Sequence, residues 1–153
     1  GPERGGAPRS QFWSALPRVP VVGAALGWFW NGGMTIPAIV HAKQLIAVEM
    51  AAHAASRTVN DITAAWIALE RAHIISQPYL GPHLVNHWAM LGFAVEQRDW
   101  REVIGQAIRL ALAPLGSLTG RIPIGNTGRS NVSAFESMAI PDDLRDAMAR
   151  RDQ

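Results

Sequence analysis

The sequence predicts an all-α protein built from two antiparallel αα-hairpins, followed by an irregular strap and a short terminal helix. Apolar residues recur at helical spacing between residues 38 and 113, and short breaks rich in Pro, Gly or polar residues divide this region into four segments. Helices joined by short turns pack as antiparallel neighbours. From residue 117 to 141 the chain is rich in Gly, Ser, Asn and Pro and shows no helical or strand period.

The first two helices are predicted from residue type and spacing. Ala38 to Ser56 contains neither Pro nor Gly and follows Pro37, which suits a helix start. The second helix is predicted from Ile62 to Ser76, with Asn60 or Asp61 as its N-cap. The apolar stripe predicted for the first helix comprises Leu45, Val48, Ala52 and Ala55. The inward positions predicted for the second are Ile62, Ala65, Trp66, Leu69 and Ala72.

The third and fourth helices form the second hairpin. The third is predicted from Pro82 to Gln97, with Pro82 in its first turn, and the chain reverses at Arg98–Asp99. The fourth is predicted from Trp100 to Ala113, where Pro114 and Gly116 would stop it. Its apolar positions are Val103, Ile104, Ala107, Ile108, Leu110 and Ala111.

The C-terminal strap is predicted to lie over the bundle, because it carries apolar side chains that need cover. These are Ile122, Ile124, Val132, Phe135 and Met138. Gly125–Gly128 is read as a plain turn or, alternatively, as an anion-holding turn. Pro141 should start the terminal helix, since Asp142 and Asp143 in its first turn suit the helix dipole.

The N-terminal 40 residues are predicted to be a flexible leader and an apolar arm, outside a single helical domain at 41–153. Gly1–Pro2 resembles a cleavage scar. Residues 19–40 lack any charge, but Pro20, Pro37 and Gly32–Gly33 interrupt them, so no transmembrane span is expected. The arm could instead cover the core or mediate homo-oligomer formation.

Composition limits the classes of function. The chain has 153 residues, enough for one core, and a net charge of +2. Its basic residues are scattered, which argues against nucleic-acid binding. Because there is no cysteine, a metal site would have to use His, Asp or Glu, and a cytoplasmic location fits.

Four residues around the predicted turn between the second and third helices have the chemistry of a metal site. Glu70 and His73 are separated by three positions, and His83 and His87 by four, so each pair shares one helix face. Antiparallel packing would bring the two pairs together. Three imidazoles and a carboxylate can bind Zn²⁺ or Fe²⁺, and Glu70 could instead act as a catalytic base.

Other residues and other interpretations stand beside this one. Glu49 and His53 on the first helix could complete the site, either as alternative ligands or as residues that hydrogen-bond to a ligand and orient it. Alternatively, the histidines could cap helices or form hydrogen bonds in the core, while Glu70 and Arg71 form a solvated pair.

Two resemblances follow from longer motifs. The helical hairpins resemble tetratricopeptide (TPR) repeats, since Trp88, Leu91, Gly92 and Val95 match the start of that signature. The ordered segments ALERAHIISQP, PHLVNHWAML, RDWREVIGQAIRL and GRIPIGNTGRSNVSAF resemble the bacterial domain of unknown function DUF3703, over residues 48–144. This second resemblance implies no activity. It implies that Glu70, His73, His83, His87 and Gly125–Gly128 lie in the family's characteristic segments.

Three hypotheses for function remain open. The chain could bind a divalent metal, with or without catalysis, through the His/Glu cluster. It could instead be a TPR-like interaction module with structural histidines, or a metal-free acid–base enzyme. The last is disfavoured because no nucleophile motif such as G-x-S-x-G is present. The sequence does not specify the small molecule or protein that would be the partner.

Overall fold

The computed structural model describes residues 36–119 and 123–150, which fold into α-helices joined by turns and one long irregular segment. The helices are α1 (Ile36–Thr58), α2 (Ile62–Ser76), α3 (Leu80–Gln97), α4 (Trp100–Thr119) and α5 (Asp142–Ala149). The chain divides into two units, residues 1–30 and 31–153, and every described residue belongs to the second. The predicted all-α class is confirmed. The predicted arm lies outside the described residues except for positions 36–40, which begin α1.

The helices pair as the sequence predicts. α1 packs against α2 and α3 against α4, while α2 also contacts α3 and α5 packs on α1. The turns at 59–61, 77–79 and 98–99 are too short to allow anything but reversal of direction.

The turns within the two hairpins share one construction. Asn60 and Arg98 each adopt left-handed backbone geometry, with φ of 58°. The amide of the following aspartate then closes the preceding helix, as in a Schellman motif. These bonds run from Asp61 N to Ser56 O (2.9 Å) and from Asp99 N to Ala94 O (3.0 Å).

The same two aspartates also begin the next helix. Each carboxylate accepts a hydrogen bond from an amide three residues ahead, which satisfies a donor that has no partner within the helix. The bonds are Ala64 N to Asp61 Oδ1 (2.9 Å) and Glu102 N to Asp99 Oδ1 (3.0 Å). Of the two predicted caps for α2, Asp61 is therefore the one used.

Two apolar clusters hold the helices together. One lies between α2 and α3 and contains Ala65, Trp66, Leu69, Ala89, Met90, Phe93 and Ala94. The other joins α1, the end of α2 and α5, and contains Ala42, Ile74, Ile75 and Leu144. The inward positions predicted for α2 are confirmed, since Ile62 packs against the first cluster and the other four are buried.

Of the stripe predicted for α1, Leu45 packs against the second cluster, but the other three positions are wrong. Val48 is 65% exposed, and Ala52 and Ala55 are exposed as well. The buried face instead follows Ala38, Ala42 and His53. Alanine is abundant on all sides of this helix, so apolar periodicity did not distinguish the two faces.

Two predicted helix boundaries also change. α3 begins at Leu80, before the predicted start at Pro82. Pro82 can lie in the first turn because the amides there have no intrahelical partner, so its missing N–H costs no hydrogen bond. α4 continues past Pro114 and Gly116 to Thr119, contrary to the predicted stop. Proline removes one backbone hydrogen bond, but its fixed φ is a helical value.

The strap at 123–141 is irregular, as predicted, but apolar cover does not hold it. Ile124 is 66% exposed, Phe135 78% and Met138 37%. The prediction that the apolar side chains of the strap are covered is wrong for these three, whereas Val132 is partly buried and Ile122 lies outside the described residues. Polar contacts hold the strap instead, and they centre on the site described below.

None of the helices in the described ranges combines the length and hydropathy needed to cross a membrane.

The left-handed turn at Arg98 allows a test of the hairpin geometry. We expect Arg98→Gly to raise the free energy of unfolding in urea by up to about 1 kcal/mol, because glycine adopts positive φ without the penalty of a Cβ. Arg101→Gly, at an exposed position inside α4, is the matched control and should lower stability by about 1 kcal/mol. Loss of stability in both variants would contradict the proposed geometry.

Candidate metal centre

Three histidine side chains converge between α2, α3 and the strap. Nε2 of His73 lies 2.9 Å from Nε2 of His83 and 3.2 Å from Nε2 of His87. The ring centroids are 4.7 Å apart in every pair. His73 and His87 are buried and His83 is partly buried. One ligand atom from each lies within 4.8 Å of the others.

The helical hairpin accounts for this convergence. His73 lies in the last turn of α2, and His83 and His87 lie one turn apart on α3. The short turn at 77–79 returns the chain so that the two faces meet. The predicted approach of these three histidines is therefore observed.

The outer nitrogen of His73 carries its proton. Nδ1 lies 2.9 Å from the backbone carbonyl of Asn126, and a carbonyl can only accept a hydrogen bond. The ring must therefore donate from Nδ1. In the neutral imidazole this leaves a lone pair on Nε2, which faces the other histidines.

The outer nitrogen of His87 is fixed through Gln106. The amide nitrogen of Gln106 donates to Glu102 Oε1 (2.7 Å) and to the carbonyl of Gly128 (2.8 Å). Both are acceptors, so the amide oxygen of Gln106 must be the atom that faces His87 Nδ1, at 2.7 Å. His87 therefore also donates from Nδ1 and presents a lone pair at Nε2.

His83 is held less firmly. Its Nδ1 is buried and has no hydrogen-bond partner among the described residues. Its Nε2 is the atom next to His73. In the neutral His73 and His87 rings, the two Nε2 atoms lie 3.2 Å apart and each carries a lone pair. This arrangement is repulsive, and a cation between the two atoms would relieve it.

Burial keeps these imidazoles neutral. Burial, the neighbouring His87 and the charge of Arg109 lower the pKa of His83 to about 3. Burial, opposed by the bond to Gln106, lowers the pKa of His87 to about 4. Burial and the other two histidines hold the pKa of His73 well below its ordinary value. All three rings are therefore neutral imidazoles at neutral pH.

Glu102 fixes the side chain of Gln106 by accepting a hydrogen bond from its amide nitrogen. It is 2% exposed, and its carboxylate accepts bonds from Gln106 and from the amide and hydroxyl of Ser130. Burial alone would raise the pKa of Glu102, but the bonds from Ser130 and Gln106 and the charge of Arg129 outweigh it, and the pKa lies below its usual value. The carboxylate is therefore ionised and fixes the Gln106 amide.

Arg129 connects the strap to three side chains. Its guanidinium lies 3.2 Å from Glu70 Oε1 and 3.2 Å from Glu102 Oε2, and it stacks over Trp66 at 3.8 Å from the ring centroid. Glu70 is therefore paired with Arg129, and it is not one of the three residues whose ligand atoms cluster. Burial raises the pKa of Glu70, against the opposing charge of Arg129.

The two predicted ligands on α1 are likewise engaged elsewhere. Glu49 accepts a bond from Arg71 at 2.8 Å. His53 is buried, its Nδ1 donates to the carbonyl of Ala65 at 3.0 Å, and its ring meets Phe93 edge-on. Of the six predicted site residues, the structure thus brings together His73, His83 and His87, and it does not bring Glu49, His53 or Glu70 into that group.

The strap reaches the site through Gln77 and Asn126. Gln77 donates to the carbonyls of Pro123 and Asn126 and accepts from the amide of Gly125. The Asn126 side chain bonds within the strap, accepting from the amide of Gly128. The amides of Gly125 and Gly128, which an anion-holding turn would offer, therefore already have partners.

Gly128 lies directly against the His73 ring. Its φ is +79°, and a Cβ there would fall 2.7 Å from His73 Cδ2 and 2.8 Å from His73 Nε2. Only glycine allows the strap backbone to pack this closely on the imidazole.

Comparison with protein families identifies the chain. The model of DUF3703, described as a protein of unknown function, matches residues 40–148. The chain belongs to the DUF3703 family. No curated protein and no solved structure matches it. The match covers the histidine cluster, the strap and α1 to α4, so the candidate site lies within the DUF3703 region.

Several site residues were not predicted from the sequence. Gln106 and Glu102 lie four apart on α4, but neither has a metal-ligand spacing to His87. Arg109 and Ser130 gave no motif either, and Asn126 was noted only as part of the Gly125–Gly128 turn. The available signal was the spacing of two polar residues, Glu102 and Gln106, four positions apart on α4. The apolar periodicity of that helix obscured it.

Substitution of two glycines tests the packing of the strap. We expect Gly128→Ala to lower the free energy of unfolding by about 2–4 kcal/mol, from positive φ and from overlap with His73. Gly81→Ala is the control, since a Cβ there meets nothing within 4 Å, and its stability should be unchanged or up to about 1 kcal/mol higher. Equal unfolding midpoints for the two variants would refute this packing.

Proposed function

We propose that this DUF3703 chain binds one divalent transition metal ion through Nε2 of His73, His83 and His87. The observation that carries the proposal is the orientation of two of these rings. His73 and His87 each donate from Nδ1 to a fixed acceptor, which leaves Nε2 free to coordinate. Metal-binding histidines characteristically use the second ring nitrogen in this way.

The distances agree with coordination geometry. Two nitrogens bound tetrahedrally to Zn²⁺ at 2.0–2.1 Å are separated by roughly 3.3 Å. The Nε2 atoms of His73 and His87 are 3.2 Å apart, and those of His73 and His83 are 2.9 Å apart. Small rotations of the rings would therefore admit the ion without rearrangement of the helices.

The ligand set indicates which metals are suitable and what the site can do. Imidazole nitrogen suits Zn²⁺ and Fe²⁺, and the chain contains no cysteine for a thiolate site. Three protein ligands leave a position for water or substrate, which is the arrangement of catalytic zinc sites. A metal ion with such an open position could act as a catalyst, for a reaction that the site does not specify. Glu70 is not required as a ligand, because Arg129 already pairs with it.

Metal content and thermal stability test this function. We expect untagged protein to contain about one equivalent of metal and to melt at a lower temperature after chelation, because an ion that binds only the folded state stabilises it. His73→Ala and His87→Ala should each remove the metal and abolish the effect of chelation on melting.

His41→Gln is the matched control for these variants. His41 donates to the carbonyl of Ala147 on α5 and takes no part in the cluster. This variant should keep the metal. Wild-type protein that binds no ion after each metal is added back would contradict the proposed function.

Gln106 offers a separate test of how the ligands are oriented. We expect Gln106→Leu to weaken metal binding about 10–100-fold, because it removes the acceptor that fixes His87. Gln44→Leu, at an exposed position on α1, should leave the affinity unchanged. Competition with a chelating dye measures both affinities, and equal values would show that Gln106 does not orient the ligand.

One observation favours a second candidate function, a TPR-like interaction module. α3 and α4 expose large apolar side chains, namely Val85, Trp88, Val95, Trp100, Ile104 and Ile108. None of these belongs to the histidine cluster. A protein that binds no metal, and whose partner is lost on Trp88→Ala or Ile104→Ala, would favour this candidate over the first.

A further inference from the structure

Arg109 is an unusual cation in this structure. Among the residues at 36–119 and 123–150, four arginines are at least partly buried, and three of them pair with carboxylates. Those three pairs are Arg57 with Glu96, Arg71 with Glu49 and Asp143, and Arg129 with Glu70 and Glu102. Arg109 has no carboxylate within ion-pair distance in this part of the chain.

Within the described residues, Arg109 is held through one of its nitrogens. Nη2 donates to the carbonyls of Arg129, at 2.7 Å, and of Val132 in the strap. Nε and Nη1 donate to no acceptor in the described ranges. The backbone contacts thus fix the guanidinium but leave its Nε and Nη1 donors available for a ligand.

Arg109 lies on the side of α4 that faces the histidines. It follows Gln106, the partner of His87, by one helical turn, and its strap contacts adjoin Gly128, which packs on His73. Burial lowers the pKa of Arg109, although the charge of Glu102 opposes this.

The charges around the proposed metal centre are unbalanced. Three neutral imidazoles would leave the full double charge of the ion uncompensated. Two carboxylates near the site, Glu70 and Glu102, share the single cation Arg129, so one negative charge remains against the three positive charges of the ion and Arg109. The metal ion and the Arg109 guanidinium repel each other, and an anion between them would offset this repulsion.

We propose that the site binds a small oxyanion, with one oxygen on the metal and a neighbouring oxygen accepting from Arg109. Guanidinium favours carboxylate and phosphate because its planar fork matches two of their oxygens. The ligand class is therefore a small carboxylate or a phosphate-type anion. Arg109 is the residue that selects a negatively charged ligand over a neutral one. This binding mode depends on the metal centre proposed above.

Cobalt provides the test, because Co²⁺ replaces Zn²⁺ and its visible spectrum reports the ligands at the open position. Full-length protein is loaded with Co²⁺ and titrated separately with acetate and with inorganic phosphate. Saturable spectral changes are expected, and the anion that binds more tightly shows whether a planar or a tetrahedral oxyanion is preferred. Imidazole, a neutral ligand, serves as a probe of the open position itself.

Substitution of Arg109 decides its role. Arg109→Gln keeps a polar side chain with N–H donors but removes the charge, and it should weaken binding of the preferred anion about tenfold or more while imidazole binds as before. Arg109→Lys keeps the charge without the fork and should give an intermediate affinity. Arg101→Gln, an exposed arginine on the same helix, is the control and should behave as wild type.

The outcomes separate this inference from the metal centre. Cobalt binding with no response to either anion, or with equal anion affinity in wild type and Arg109→Gln, would overturn the role of Arg109 and leave the metal centre standing. Failure of wild-type protein to bind cobalt, zinc or iron would overturn both.

Discussion

Two hydrogen bonds determine what the histidine cluster can do. A neutral imidazole has one N–H and one lone pair, so an acceptor at Nδ1 decides that Nε2 must be the acceptor or ligand atom. The Asn126 carbonyl does this for His73, and the Gln106 amide oxygen does it for His87. Without these two partners, Nε2 of His73 and Nε2 of His87 could hydrogen-bond to each other as in an ordinary polar core.

The strap is part of the site because it provides much of this network. Its backbone supplies the carbonyls of Asn126 and Gly128, and Ser130 completes the hydrogen bonding of Glu102. Arg129 ties it to α2 and α4 through Glu70 and Glu102. Hydrogen bonds and ion pairs of buried polar groups therefore position this irregular segment, although several of its apolar side chains are exposed.

The sequence was sufficient for the parts that depend on local spacing. Helical periodicity and the short breaks between the helices define the hairpins, and they bring His73, His83 and His87 together. Residues that meet only through tertiary packing could not be found in this way. Gln106 and Asn126 are far from the histidines in the chain, and nothing in their local sequence indicates which partner they meet.

The errors on α4 and at Glu70 share a physical origin. On α4, Ile104 and Ile108 are exposed while Glu102 and Gln106 are buried, the reverse of what hydrophobic periodicity favours. The polar face can be buried because the strap supplies a partner for each group. Glu70 shows the same limit, since its spacing to His73 suits a ligand but Arg129, fifty-nine residues away, pairs with its carboxylate.

The most direct test of the central claim is a long-range ¹H–¹⁵N correlation spectrum of the histidine rings, recorded on metal-free protein and again after one equivalent of Zn²⁺. His73 and His87 should be neutral with the proton on Nδ1, and zinc should shift the Nε2 resonances of both together with that of His83. Rings protonated at Nε2 before zinc is added, or Nε2 resonances that zinc leaves unchanged, would contradict a preorganised metal centre.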